Sequence, residues 1–166
     1  MSSRLRAKIL ILSDACSRGE RPDQSGPAVR DLLEARGWQV VGIEVLPDDL
    51  NTIRQRLETL TDAADCDAVV TSGGTGVGPR DVTPEATRAV IEKEIPGMAE
   101  LMRAEGIKKT HRAALARGMV GVRKGKLIVN LPGSPRGARE SLESIVDLLP
   151  HAVGLVQGHT FHFSEE

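Results

Sequence analysis

The chain has 166 residues, of which 40% are hydrophobic, so it is long enough to bury a core of its own, and we expect residues 1–166 to form one domain. Its formal net charge of −1 and its 2% of aromatic residues disfavour binding to nucleic acids or to anionic membranes. Two cysteines are too few for a disulfide framework, and no apolar run reaches the length of a membrane span, so we expect a cytoplasmic protein without a membrane partner.

Apolar runs and helical periodicities alternate along the first half of the chain. Lys8 to Leu12 is a short continuous apolar run, which is typical of a buried parallel strand. Ser25 is predicted to cap the helix that follows, and a second strand is predicted over Gln39 to Leu46. Leucine and isoleucine at helical spacing predict an amphipathic helix from Asp49 to Ala63. Asp67 to Thr71 is predicted to be the third strand.

The second half continues the alternation and adds a hairpin. Thr83 is predicted to cap a helix, and Met98 to Met102 indicates another one. Two further strands are predicted, over Met119 to Arg123 and Lys126 to Leu131. The Lys-Gly pair between them favours a tight hairpin turn. Gly137 to Leu149 is the last clear helix. The pattern predicts an α/β three-layer sandwich with a mostly parallel, doubly wound sheet and a late antiparallel hairpin.

Four loops directly follow predicted strands and are candidates for a functional site. In open α/β sheets, ligands bind outside the carboxyl ends of the strands, so we expect these loops to converge at one edge of the sheet. The four loops are Ser13-Asp14, Pro47-Asp48, Ser72 to Asp81, and Pro132 to Arg136.

The third of these loops is rich in glycine. Four glycines, at 73, 74, 76 and 78, precede Arg80 and Asp81, and a predicted helix follows. A strand, a glycine loop and a helix in this order bind anions, usually phosphates, through backbone N–H groups. Pro79 and Arg80 stand where a P-loop needs Lys and then Ser or Thr, and the glycine spacing also departs from the dinucleotide-binding motif. A tight structural turn is the alternative, and the adjacent cation and acid favour binding.

Two aspartates at strand ends could carry phosphate chemistry. Asp48 and Asp81 could hold Mg²⁺, because this ion is commonly bound by one or two carboxylates while water fills its other positions. Alternatively, Asp48 or Asp49 caps the helix that begins near Leu50, and Asp81 only sits near the Thr83 cap; these interpretations stay open. In the basic stretch from Arg103 to Lys126, most side chains are expected to be solvated, and Arg117 is the best candidate for a ligand-binding cation.

Three sequence blocks together resemble one known family. They are T-S-G-G-T-G-V-G-P-R-D-V-T-P-E-A-T at 71–87, L-I-V-N-L-P-G-S-P at 127–135 and S-D-A-C-S-R-G at 13–19. In this combination the chain resembles the MogA/MoaB family of molybdenum cofactor biosynthesis, which includes the G domain of gephyrin. The resemblance extends over about residues 8–149 and implies the α/β fold of that family.

The resemblance also implies an activity. The family's MogA branch transfers the adenylyl group of ATP to molybdopterin with Mg²⁺, giving adenylyl-molybdopterin and pyrophosphate, so we expect a Mg-dependent nucleotidyltransferase. It further implies a homotrimer or a homohexamer. Two alternatives stay open: a catalytically silent MoaB-like protein that binds molybdopterin, and a CinA-like nucleotide pyrophosphatase module.

Residue by residue, the resemblance assigns a candidate site. Asp48 and Asp81 fall on the family's essential acids, which makes them the expected catalytic and metal-binding residues. The expected nucleotide-binding residues are Gly73, Gly74, Thr75, Gly76, Arg80, Pro132, Gly133 and Ser134. The residues expected to border the pterin are Ser13, Asp14 and Ser25.

Overall fold

The computed structural model describes residues 3–159, which form a sheet with helices on both of its faces. The strands are β1 (Arg6–Leu12), β2 (Gln39–Leu46), β3 (Ala68–Ser72), β4 (Lys93–Glu94), β5 (Val120–Arg123) and β6 (Lys126–Leu131). The helices are α1 (Asp14–Ser17), α2 (Ser25–Ala35), α3 (Leu50–Asp62), α4 (Thr83–Arg88), α5 (Pro96–Lys109), α6 (Pro135–Ile145) and α7 (Leu149–Val156). A 3₁₀ helix covers His111–Leu115. Within residues 3–159, no helix combines the length and the apolar composition needed to cross a membrane.

The six strands form one mixed sheet in the order β2-β1-β3-β6-β5-β4. Strands β2, β1, β3 and β6 are parallel, whereas β5 is antiparallel to both β6 and β4. The predicted hairpin is confirmed, and its turn residues Lys124 and Gly125 both have positive φ angles, of 48° and 76°. This conformation matches the two-residue turn that suits the twist of a hairpin. The α/β class and the mostly parallel sheet are therefore confirmed.

The sheet separates two hydrophobic layers. Successive side chains of a strand point to opposite faces, so Ile9 and Ile11 of β1 pack into one layer, and Leu10 and Leu12 pack into the other. The first layer receives the apolar faces of α2, α5, α6 and α7, and the second receives α3 and α4. Because both faces are covered, the central strands read as continuous apolar runs.

Some predicted boundaries are wrong, for local reasons. Ser25 does not cap α2, because Asp23 accepts the N–H groups of Ser25 and Gly26 at 2.9 and 3.1 Å. Thr83 is the first residue of α4, and its hydroxyl donates to the Gly73 carbonyl at 2.8 Å. Both hydroxyls bind distant loops instead of their own helix. Residues 137–149, predicted as one helix, contain the end of α6 at Ile145 and the start of α7 at Leu149.

Candidate functional site

The four predicted loops converge at the carboxyl edge of the parallel strands. The loops after β1 and β2 are joined by two reciprocal hydrogen bonds: the Asp14 N–H donates to Asp48 Oδ2 at 3.1 Å, and the Asp48 N–H donates to Asp14 Oδ1 at 3.0 Å. The loops after β3 and β6 are joined by the Ser72 hydroxyl, which donates to the Pro132 carbonyl at 2.7 Å. The predicted convergence of these loops at one edge of the sheet is confirmed.

The glycine loop needs glycine for both conformation and space. Gly73 and Gly74 have φ angles of 110° and 66°, in a region that side chains disfavour. A Cβ atom on Gly73 would lie 2.1 Å from the carbonyl oxygen of Leu12, and one on Gly74 would lie 3.0 Å from Asp48 Oδ1. The backbone of this loop therefore lies directly against β1 and against the Asp48 carboxylate.

Asp48 carries an incompletely satisfied carboxylate. Its Oδ1 atom is buried and has no hydrogen-bond partner among the described residues. Burial raises the pKa of Asp48 above its ordinary value, and the charges of Asp14 and Asp81 raise the pKa further. Of the two predicted candidates for the cap of α3, Asp49 is the cap, because it accepts the Thr52 N–H at 2.9 Å, so capping does not account for Asp48. An unpaired buried carboxylate oxygen costs stability, which makes Asp48 a candidate for a functional role.

Arg80 is bound to an acid of the neighbouring loop. Its guanidinium makes two parallel hydrogen bonds to Asp14, at 3.0 and 3.1 Å, and this pairing lowers the pKa of the Asp14 carboxyl. The Arg80 side chain is 65% exposed, so the ion pair lies at the solvent-facing edge of the site. Solvent screens the attraction on the Arg80 side of this pair, whereas the Asp14 side chain is only 21% exposed.

Asp81 directly follows Arg80, and its side chain folds back onto the glycine loop. Its Oδ2 atom accepts the Gly78 N–H at 2.9 Å. The same oxygen lies 2.9 Å from the position that a Cβ on Gly76 would occupy. Asp48 and Asp81 therefore pack against different glycines of one loop, and both carboxylates contact the candidate phosphate-binding backbone.

Arg117 differs from its prediction as a ligand-binding cation. All three of its guanidinium nitrogens have protein partners: the carbonyls of Gly76 and Asp81, and the Glu85 carboxylate. Sequence reasoning identified this residue but not these partners. Glu85, the acid that ends the D-V-T-P-E motif, was the available signal for an ion pair with an arginine elsewhere in the chain.

The serines of the predicted site bind protein atoms. The Ser25 hydroxyl donates to the Gly133 carbonyl at 2.7 Å, and Ser13 Oγ accepts the Cys16 N–H at 3.2 Å. Ser134 caps α6 by accepting the Gly137 N–H at 3.0 Å. These contacts shape the loops, and the structure brings Ser25 beside Gly133 even though 108 positions separate them.

Asn130 belongs to the sequence block at 127–135, but the sequence did not predict the contacts of this buried amide inside the apolar strand β6. Its Nδ2 donates to the hydroxyls of Thr71 and Thr87 at 3.1 and 3.0 Å, and its Oδ1 accepts the Met119 N–H at 3.2 Å. The amide links β3, α4 and the segment before β5 directly beneath the site. A single polar residue within the run L-I-V-N-L was the available signal.

A cavity of about 310 Å³ opens next to the glycine loop, between α5, the 3₁₀ helix and α6. Thr75, Pro132 and Ser134 line it, together with Met102 and Ala113. Its volume lies within the range of small-molecule sites. Three of the predicted nucleotide-binding residues thus border a space that can hold a ring system.

Comparisons with known proteins agree with the motifs. A family model described as a probable molybdopterin binding domain matches residues 8–151. A molybdopterin adenylyltransferase of Helicobacter pylori (strain J99) is 38% identical over 160 residues, covering 95% of this chain and 91% of that protein. The molybdenum cofactor synthesis protein cinnamon of Drosophila melanogaster is 43% identical over 150 residues, which cover 89% of this chain and only 25% of that longer protein.

Solved structures show the same fold. The molybdopterin biosynthesis enzyme MoaB from Thermus thermophilus superposes with a TM-score of 0.88 and 49% identity, covering 93% of this chain and 97% of that one.

Proposed function

The chain belongs to the MogA/MoaB family of molybdopterin-binding domains, and on this basis we propose that it transfers the adenylyl group of ATP to molybdopterin. The observation in the site that carries the proposal is the buried, unpaired Asp48 oxygen beside a glycine loop that also holds Asp81. A loop for phosphates flanked by two carboxylates suits nucleotidyl transfer.

In the proposed reaction, a terminal phosphate oxygen of molybdopterin attacks the α-phosphorus of ATP. A new P–O bond forms, the bond between the α-phosphorus and its bridging oxygen breaks, and pyrophosphate leaves. The reaction needs no covalent intermediate with the protein. The chain binds the molybdopterin phosphate and the ATP phosphates and aligns the attacking oxygen with the leaving pyrophosphate. The backbone N–H groups of the glycine loop from Gly74 to Val77 are the proposed donors, with Arg80 moving from Asp14 to the leaving phosphates.

The residues present fit a Mg²⁺ ion. No cluster of three or more His, Cys, Asp or Glu side chains suited to a metal exists in residues 3–159, but Mg²⁺ is commonly held by one or two carboxylates with water and substrate phosphates. Asp48, through its unpaired oxygen, and Asp81 are the proposed ligands. The ion, when bound, would neutralise phosphate charge.

The remaining predicted residues suggest that the two substrates bind on opposite sides of the glycine loop. The cavity bordered by Thr75, Pro132 and Ser134 is proposed to hold the nucleoside. Gly73 and Gly133, which follow β3 and β6, are proposed to contact the nucleotide as well. The pterin is proposed to lie on the side of Ser13, Asp14 and Ser25, the loop after β1. We further propose that residues 1–166 act as one domain of a cytoplasmic protein. We also propose that this protein forms a homotrimer or a homohexamer, and light scattering would test this oligomeric state.

The test is an assay of purified protein with molybdopterin, ATP and Mg²⁺. Wild type is expected to form adenylyl-molybdopterin and pyrophosphate, and Asp48→Asn and Asp81→Asn are expected to lose this activity by about 100-fold or more. Asp49→Asn is the matched control, because Asn also caps helices and the side-chain hydrogen bonds of Asp49 go to Thr52 of α3. Full activity in Asp81→Asn would refute the assignment. Binding without turnover in wild type would support the silent relative, and ATP hydrolysis without pterin would support the pyrophosphatase.

A further inference from the structure

Arg117 contacts the glycine loop at several points. Its Nε donates to the Gly76 carbonyl at 2.7 Å, and its Nη2 donates to the Asp81 carbonyl at 3.0 Å. Its backbone N–H donates to the Thr75 carbonyl at 2.8 Å, and its Nη1 pairs with Glu85. One residue thus holds three carbonyls of the segment that contains Asp81.

These contacts fix the direction of the loop's N–H groups. No cis peptide occurs among the described residues, so each C=O points opposite to the N–H of the next residue. Because the carbonyls of Thr75 and Gly76 point to Arg117, the N–H groups of Gly76 and Val77 point away from it. Two successive N–H groups that face the same way form an anion-binding concavity.

Arginine suits this task better than any other residue. Its planar fork carries five donors, so it can bind two carbonyls and a carboxylate at once, whereas lysine offers one point charge on a flexible stem. Glu85 belongs to α4, shortly after Asp81, so its ion pair with Arg117 also ties the start of this helix to the loop.

We propose that Arg117, braced by Glu85, is a positioning residue for adenylyl transfer: it holds the carbonyls of the glycine loop so that the loop's N–H groups and Asp81 face the reacting phosphates. Arg117 itself does not touch the substrate. This proposal rests on the proposed function above. It assigns a role in that function to Arg117, which lies outside the predicted set of site residues.

The experiment compares Arg117→Met and Arg117→Lys with a matched control. Arg123 makes a similar clamp far from the site, with the Glu58 carbonyl, the Thr61 hydroxyl and Asp62. Arg117→Met is expected to lower kcat about 100-fold, because small displacements of aligned groups have effects of this size. Arg117→Lys should recover only part of this loss. Arg123→Met should leave kcat unchanged at a temperature where all variants are folded.

Hydrogen exchange at amides 74–82 gives a second readout that does not depend on turnover. Faster exchange confined to this segment in Arg117→Met, together with the kcat loss, supports the proposal. Unchanged exchange, or an equal kcat loss in Arg123→Met, overturns it. If wild type forms no adenylyl-molybdopterin, the proposed function fails, and hydrogen exchange alone then decides the inference about Arg117. Protection of amides 74–82 by Mg-ATP in wild type, and loss of that protection in Arg117→Met, would support the inference. Equal protection in both proteins would refute it.

Discussion

Replacing Asp48 by asparagine is expected to stabilise the free protein while removing its activity. The wild-type carboxylate has one partner, the Asp14 N–H on Oδ2, and leaves Oδ1 buried and unpaired. A buried polar atom without a partner costs about 1–3 kcal/mol, and more when it is charged. Asparagine keeps the shape and one acceptor but removes the charge, so part of this cost is recovered.

The gain is about 1 kcal/mol, because the amide nitrogen of the variant also lacks a partner. For a chain of this length, such a gain raises Tm by roughly 2–4 °C. Urea-induced unfolding of Asp48→Asn and wild type at about pH 7.5, followed by circular dichroism, would measure the difference in the free energy of unfolding.

The pH dependence gives the sharper test. The pKa of Asp48 is raised in the folded protein above its ordinary value of 3.8, chiefly by burial. Below pH 3.8 the carboxyl is neutral in both the folded and unfolded states and carries no penalty. As the pH rises through the folded pKa, stability is lost in wild type but not in the variant. The difference in the free energy of unfolding between Asp48→Asn and wild type should therefore be largest near neutral pH and become smaller toward pH 3.8. A variant less stable than wild type at neutral pH, or a gap independent of pH, would refute the reasoning.

Three other substitutions test neighbouring parts of the site. Gly76→Ala places a methyl group 2.9 Å from Asp81 Oδ2 and should lower kcat at least tenfold by displacing that carboxylate; Gly97→Ala, which meets no atom within 4 Å, is the control with normal kcat. Asn130→Leu leaves buried hydroxyls and an N–H without their partner and should lower the free energy of unfolding by about 3 kcal/mol in urea titrations. Arg80→Gln should raise the KM for ATP severalfold in steady-state assays with little change in Tm, because the ion pair it loses is exposed; an unchanged KM would count against Arg80 as a phosphate ligand.

Sequence patterns predicted the elements whose signals are local. The apolar run of β1 and the helical spacing of α3 depend on which faces are buried, and both elements were found within two residues of their predicted ends. Asp48 and Asp81 were predicted as acids at strand ends, and the family resemblance added their expected roles. Their contacts with the glycine loop agree with that prediction, whereas the metal and substrate roles stay predictions.

The errors concern contacts between residues far apart in sequence. Ser25 and Thr83 have the residue types of helix caps, but each hydroxyl is engaged by a carbonyl of a neighbouring loop. Arg117 looked like a free cation because its partners lie 32 to 41 positions away. A side chain that can satisfy either its own helix or a distant loop cannot be assigned from local pattern, since the choice depends on the assembled sheet edge.

The amide of Asn130 also bears on how the sheet assembles. A shift of β6 by one residue along β3 would turn every side chain of the strand to the other face. The apolar neighbours of Asn130, buried on both faces, would tolerate that shift, because either layer accepts leucine, isoleucine or valine. The amide would not, because it would lose both threonine hydroxyls and enter a hydrocarbon environment. Asn130 thus disfavours a misaligned β3–β6 pair. In the observed alignment Ser72 lies opposite Leu131, which sets the glycine loop beside the Pro132 loop.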